Sequence, residues 1–388
     1  MLKRSWHDER GFSLIFVAIG LVAFVAATTL AIDVGMFMTA RAQAQNSADA
    51  GALAGATALA VNSFTDRSAG GPAVQNAITA AKANIVMATE VSVQPGDVTF
   101  PLDSGGQPNL IQVVVFRTAD RGNPLATLMG RFFGVETADV QATATAQVSP
   151  ANAMTCVKPF MIPDKWLERT TESGAPSGPW TTTSEFNAYD THGGSLEMPD
   201  VYVGAEDVAH YTGYTVANDV GTQLVLRGGT GDQINPGFYY SWKMPGDVGG
   251  DFYRENIENC NTSIVTWGTP IIQEPGDKVG PTIQGIEALI AKDPGAYWDS
   301  TCKCVMGSTF GTSPRVFPIP LYDPRYYADG KATGRVADFR VANFLGFFAD
   351  HTSGNRVYGV ITNVVGLVAP NAGPAPAGAF PMAIRLVK

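Results

Sequence analysis

GFSLIFVAIGLVAFVAATTLAI, residues 11–32, is an uncharged run of 22 amino acids without proline. About 20 apolar residues are what an α-helix needs to cross ~30 Å of hydrocarbon, whereas the apolar core of a cleaved secretory signal is only about 7–15 long. The length therefore predicts an uncleaved membrane anchor. The alternative is an over-long signal peptide cut near Thr29-Leu30-Ala31, which would release a secreted protein. Lys3, Arg4 and Arg10 precede the run, and Arg41 is the one basic residue in the thirty that follow it. Lys and Arg are retained on the cytoplasmic side of a membrane. That rule puts residues 1–10 in the cytoplasm and everything from Asp33 onward outside it.

From Asp33 the chain continues as DVGMFMTARAQAQNSADAGALAGATALAVNSF, with no proline before Pro72. Alanine is the best helix former, and Gln, Met, Leu and Arg are good ones, so the helix is predicted to run on to about Asn62, a rod of roughly 75 Å. Arg41, Gln45 and Asp49 fall at i, i+4 and i+8, one polar line along the rod. Ala44, Ala48, Gly51, Ala52 and Gly55 form a neighbouring face of small residues, which admits close approach of another helix. Whether that face meets another chain or the chain's own domain stays open at this point. If it meets another chain, Gly51→Leu or Gly55→Leu should block assembly while the body still folds.

The run Asp33-x-Gly35, Arg41, Gln45 and Ala48-Asp49-Ala50-Gly51-Ala52-Leu53-Ala54-Gly55-Ala56, after a short basic start ending in Arg10-Gly11, resembles the amino-terminal domain of the TadG-like proteins of Tad/Flp pilus-assembly systems. The resemblance covers about the first sixty residues. It implies an inner-membrane protein with a periplasmic body, associated with assembling or anchoring a thin pilus. True prepilins are cut after a glycine and carry glutamate at the fifth mature residue. Gly11-Phe12-Ser13-Leu14-Ile15 looks like such a site, but Phe16 stands in the glutamate position, so no cleavage is expected. EPGDKVGPTIQGIEALI (274–290), followed by Trp298 and Cys302-Lys303-Cys304, resembles downstream segments of some TadG-related proteins. Larger relatives carry a von Willebrand factor type A domain with a D-x-S-x-S metal loop; this sequence has no such loop.

After a turn at Asp66–Pro72, a second helix is predicted over 73–88, strands over 91–100, 110–119 and 135–148, and a short helix over 124–132. The fold class expected is α+β: the long transmembrane and periplasmic helix of residues 1–63, a small pilin-like α+β unit over 64–150, and a mainly β periplasmic domain over 151–388. In the last, a helix is predicted at 282–292 after Gly280-Pro281, and strands at 223–227, 237–242, 315–322, 335–349, 356–368 and 382–387.

Cys156, Cys260, Cys302 and Cys304 all lie on the outer side, and an even count there reads as two bridges. A bridge within Cys302-Lys303-Cys304 would close a very short ring, so Cys156 and Cys260 are expected to pair with those two. Structural zinc favours C-x2-4-C pairs, which this C-x-C with two singletons does not supply. A net charge of −9 with no basic stripe speaks against nucleic acid as a partner.

His7, His192, His210 and His351 form no H-x3-H pair, and G-x-S-x-G, P-loop and dinucleotide motifs are missing. Asp190–Glu197 puts an acid, an imidazole and a hydroxyl in one loop, but a triad is assembled in space. Asp247–Asp251 offers oxygen ligands without the EF-hand spacing. No catalytic residue, metal ligand or cofactor is therefore assigned. The reading is a membrane-anchored periplasmic structural or assembly component of a Tad/Flp-type pilus or secretion system, meeting pilin-like partners through its helix; the alternative is a membrane-tethered hydrolase or glycan-binding protein.

Overall fold

The computed structural model describes residues 10–62, 66–104, 106–169, 180–188, 191–192, 195–196, 199–229, 231–332 and 338–387. It is mixed α+β, with a long amino-terminal helix and then a mostly β region that contains a closed barrel. Two compact units divide the chain: Met1–Ala56 with Arg67–Gln147 and Leu386–Lys388, and Thr57–Asp66 with Val148–Arg385.

In the first unit α1 (Arg10–Val61) is one unbroken helix of 52 residues. At 1.5 Å per residue it is about 78 Å long. α2 (Pro72–Ala83) starts with proline in its first turn, where the missing N–H costs nothing. It ends five residues before the predicted limit at Ala88. Met87 and Ala88 take left-handed φ values of 46° and 62°, and Val86 bridges Thr89 across the turn they make. β1 (Val98–Thr99), β2 (Leu110–Arg117) and β5 (Val140–Pro150) pair antiparallel in the order β1-β2-β5. β2 alternates as a half-buried strand should, with Ile111, Val113 and Val115 fully buried. The helix predicted over 124–132 is not formed. β3 (Leu125–Ala126) pairs with β4 (Thr137–Ala138), and a single 3-10 turn, Gly130–Phe133, lies between them.

The second unit is organised by β6 (Phe160–Pro163), β7 (Gln223–Gly228), β8 (Phe238–Ser241), β9 (Pro270–Ile272), β10 (Val316–Tyr322), β11 (Asp338–Ser353) and β12 (Arg356–Thr362). Hydrogen bonding runs β11-β10-β6-β8-β7-β12 and returns to β11, which closes a six-stranded barrel; β9 pairs with β11 beside it. β6–β10 and β7–β8 are parallel and the other pairs antiparallel. All six strands contribute to one core: Phe160, Leu224, Tyr239, Ile319, Phe347 and Ile361 are among its members. A face shared by every strand of a closed barrel is its inside. Residues of opposite parity, such as Met161, Tyr240, Tyr322 and Phe344, build a second cluster with Trp166, Trp242 and Tyr327.

α4 (Val279–Lys292) covers the predicted 282–292 helix, and its Ile286 and Leu289 join the barrel core with Tyr253 and Ile257 of α3 (Gly250–Glu258). α3 and α5 (Pro324–Ala332) were not predicted from sequence.

Candidate functional site: the amino-terminal helix

The Ser13–Val61 stretch of α1 is apolar and long enough to cross a membrane. Its early turns expose large side chains all round: Leu14 71%, Phe16 60%, Ile19 62%, Val22 67% and Phe24 66%. Soluble monomers rarely expose contiguous apolar patches beyond a few hundred Å². This surface requires an apolar cover.

The helix changes character at Asp33, one residue past the uncharged run. Asp33 is buried, and its carboxylate accepts backbone N–H groups of Leu128 (3.1 Å), Met129 (3.2 Å) and Gly130 (2.6 Å). Those N–H groups serve Asp33 and not a helix, which is why the predicted 124–132 helix gives way. Gly130 matters by its size: a Cβ there would lie 3.1 Å from Asp33 Oδ2 and 3.0 Å from the Val135 carbonyl oxygen. Gly35, two residues on, faces open space.

Beyond Asp33, Ala40, Ala44, Ala48, Ala52 and Ala56 make a buried stripe at four-residue spacing. Gly51 and Gly55 lie beside it against α2 and β2. A Cβ on Gly51 would sit 3.0 Å from the Ala77 carbonyl oxygen and 3.2 Å from Val113 Cγ1; one on Gly55 would collide with Ile111 and sit 3.1 Å from Ala77 Cβ. Buried Ser47 donates to the Ala81 carbonyl at 2.7 Å, and the Gln43 side chain accepts the Met87 N–H at 2.8 Å. The small-residue face therefore packs on the chain's own second helix and sheet. Along the polar line, Gln45 donates to Asp49 (2.9 Å) and to the Thr143 carbonyl (3.2 Å). Arg41 is exposed and makes no ion pair among the described residues.

The apolar span, the acid that closes it and the small-residue face occupy one continuous segment. Residues 11–58 match the Tad family model, "Putative Flp pilus-assembly TadE/G-like". No curated protein and no solved structure matches the chain. The Tad match ends inside α1, so the barrel lies outside it.

Downstream of the Tad segment the cysteines pair differently from the sequence expectation. Cys156 bonds Cys260, with Cα atoms 4.3 Å apart, and Cys302 bonds Cys304, with Cα atoms 5.2 Å apart. The short ring is accommodated because Lys303 adopts φ 51° at the end of a small hairpin in which Asp299 pairs with Cys304. Cys156, also left-handed at φ 56°, donates its N–H to the Asn261 carbonyl at 2.8 Å, which sets it beside Cys260.

The candidate catalytic loop is described only in its backbone at Thr191–His192 and Ser195–Leu196, which pair as a hairpin; Asp190, Gly193, Gly194 and Glu197, and the side chains of the loop, lie outside the described residues, as does His7. His210 is exposed and pairs with Asp207. His351 pairs with Asp350 and stacks on Tyr358 in a shallow cavity of about 100 Å³ whose lining contains no serine, threonine or cysteine. At Asp247–Asp251, Asp247 accepts the Val248 N–H and Asp251 pairs with Arg254, and no group of three or more metal-ligating side chains occurs among the described residues.

Two buried ionisable groups of the second unit are held by structural partners. Burial pushes Asp164 up to about 6, against hydrogen bonds from the Tyr214 and Lys165 N–H groups and the Tyr211 and Tyr202 hydroxyls. Burial brings Lys158 down to about 7, and its ammonium donates to the Ile257 and Asn259 carbonyls at the end of α3. Sequence reading singled out neither, because their burial is set by barrel closure.

Proposed function

We propose that this protein is a membrane-anchored component of a Tad/Flp-type pilus or secretion system, acting in structure or assembly and not in catalysis. One observation carries the reading: the Tad match coincides with a helix whose first turns present exposed apolar side chains on every side. In this reading α1 crosses the bacterial inner membrane once, residues 1–10 are cytoplasmic, and the body is periplasmic, where its two disulfides are stable. Contacts with pilin-like or other assembly proteins would use helix surface other than the alanine stripe, which α2 and β2 occupy. Residues 1–63 serve as the anchor and the barrel as an interaction module.

The test is deletion of the gene in its own bacterium, with piliation scored by electron microscopy. Loss of pili is expected, restored by the full chain and not by one lacking residues 11–32. Unchanged piliation would sink the assembly role. For the hydrolase or glycan-binding alternative, the cavities lined by Phe186 and Lys331, by Phe252 and Cys260, by Trp298 and Lys303, and by His351 and Tyr358 do not join a histidine, an acid and a serine, threonine or cysteine.

A further inference from the structure

We infer that the hairpin tip between β3 and β4 is a second membrane contact, seated in the lipid surface where α1 leaves the bilayer; this rests on the anchor reading above. The tip is tied to the helix at one level. Three successive N–H groups, from Leu128 to Gly130, end on Asp33, and Asp33 directly follows the uncharged run. Its fold is fixed from within: Thr127 donates through its hydroxyl to the Val135 carbonyl at 2.6 Å, and the Val135 N–H returns to the Gly130 carbonyl at 3.1 Å.

A tip held this firmly nevertheless turns its apolar side chains outward. Phe132 is 72% exposed, Phe133 61%, Val135 53% and Leu128 52%. The Arg131 guanidinium lies 5.2 Å from the Phe132 ring centre, at the same level. On α1 the residues flanking Asp33 are exposed too, with Leu30 at 66% and Met38 at 69%. The exposed apolar side chains of the tip are thus tied through Asp33 to the end of the uncharged run, the depth at which the chain must pass from hydrocarbon to headgroups. Aromatic side chains with an adjacent cation are the composition that this boundary favours. The occupant proposed is the lipid surface, with the phenylalanines under the headgroups and Arg131 among the phosphates. Asp33 then sits at the boundary with its charge satisfied by backbone donors, and the two contacts fix the insertion depth of the unit.

The test uses full-length protein in vesicles of phosphatidylcholine mixed with phosphatidylglycerol. All four native cysteines are paired, so single cysteines introduced by Phe132→Cys, Phe133→Cys, Val22→Cys and Leu102→Cys each carry one spin label. Relaxation by oxygen against that by a water-soluble nickel chelate reports depth. Val22 is expected in the hydrocarbon, Leu102 in water, and both phenylalanine positions ~5–10 Å below the phosphates. If Phe132 and Phe133 match Leu102 while Val22 stays in lipid, the tip proposal is overturned and the anchor stands. Chelate access at Val22 would overturn the anchor itself. Labels at the tip shielded from both reagents would mean a protein partner covers it, which also overturns the proposal.

Discussion

Gly51 and Gly55 were legible as a small-residue face, but sequence could not say what filled it, because Ala73, Ala77 and Ile111 come from segments brought in by the fold. Their positions change what substitution should do. Gly55→Leu must displace Ile111 and α2 within the same unit, and overpacking of this kind costs about 1–3 kcal/mol. The unit itself, not only its assembly, should lose stability, read as a lower thermal midpoint in detergent. Gly35→Ala is the control: its Cβ meets nothing, and replacing a helical glycine should leave stability equal or higher by up to about 1 kcal/mol. Asp164 yields a pH effect of defined sign. Its folded pKa of about 6 lies above the ordinary 3.8, so its contribution to stability is fully present below about pH 4 and is lost as pH rises through 6. The loss amounts to about 3 kcal/mol. Urea unfolding midpoints should fall across that window, and Asp164→Asn should remove this part of the fall; an unchanged slope would refute it.

Elements with a strong period read correctly, and those decided by partners did not. α1, β2 and α4 carry their pattern in the sequence. α3 and α5 are nine residues each and contain glycine, so propensity is too weak to announce them without the barrel they pack on. The 124–132 stretch had helical composition, yet Asp33, some ninety-five residues earlier, took its donors. The disulfides failed for a related reason: a left-handed Lys303 cannot be read from residue type. Their spacing predicts unequal worth. Cys156–Cys260 spans a sequence separation of 104, and Cys302–Cys304 one of 2. Constraint of the unfolded chain grows with loop length, so the paired change Cys156→Ala with Cys260→Ala should cost about 2–5 kcal/mol. Cys302→Ala with Cys304→Ala should cost much less. Non-reducing peptide mapping must also recover these two bridges; any peptide linking Cys156 to Cys302 or Cys304 would contradict the structure.

At the scale of the whole molecule, closure of the barrel was the least legible feature. Five of the six barrel strands were visible and β6 (Phe160–Pro163) was not, and closure depends on β11 pairing with β10 and β12 at once, and on β7 lying parallel to β8, contacts that no local pattern encodes. Orientation depends, by contrast, on a few charges that flank the apolar run. Lys3, Arg4 and Arg10 precede the span, and Asp33 and then Arg41 follow it. Since the Lys and Arg bias of short flanks sets the side a helix end occupies, this arrangement should hold the amino terminus in the cytoplasm. Protease added to spheroplasts should therefore digest the body, and a tag placed before Lys3 should be protected. Replacing Lys3, Arg4 and Arg10 with glutamine should produce a mixed population in which the tag becomes accessible. The two disulfides of the second unit report the same event independently, since a body left in the cytoplasm stays reduced and alkylates at four thiols. A protected body with an accessible tag in the unaltered protein would invert the topology, and with it the periplasmic role proposed for the barrel.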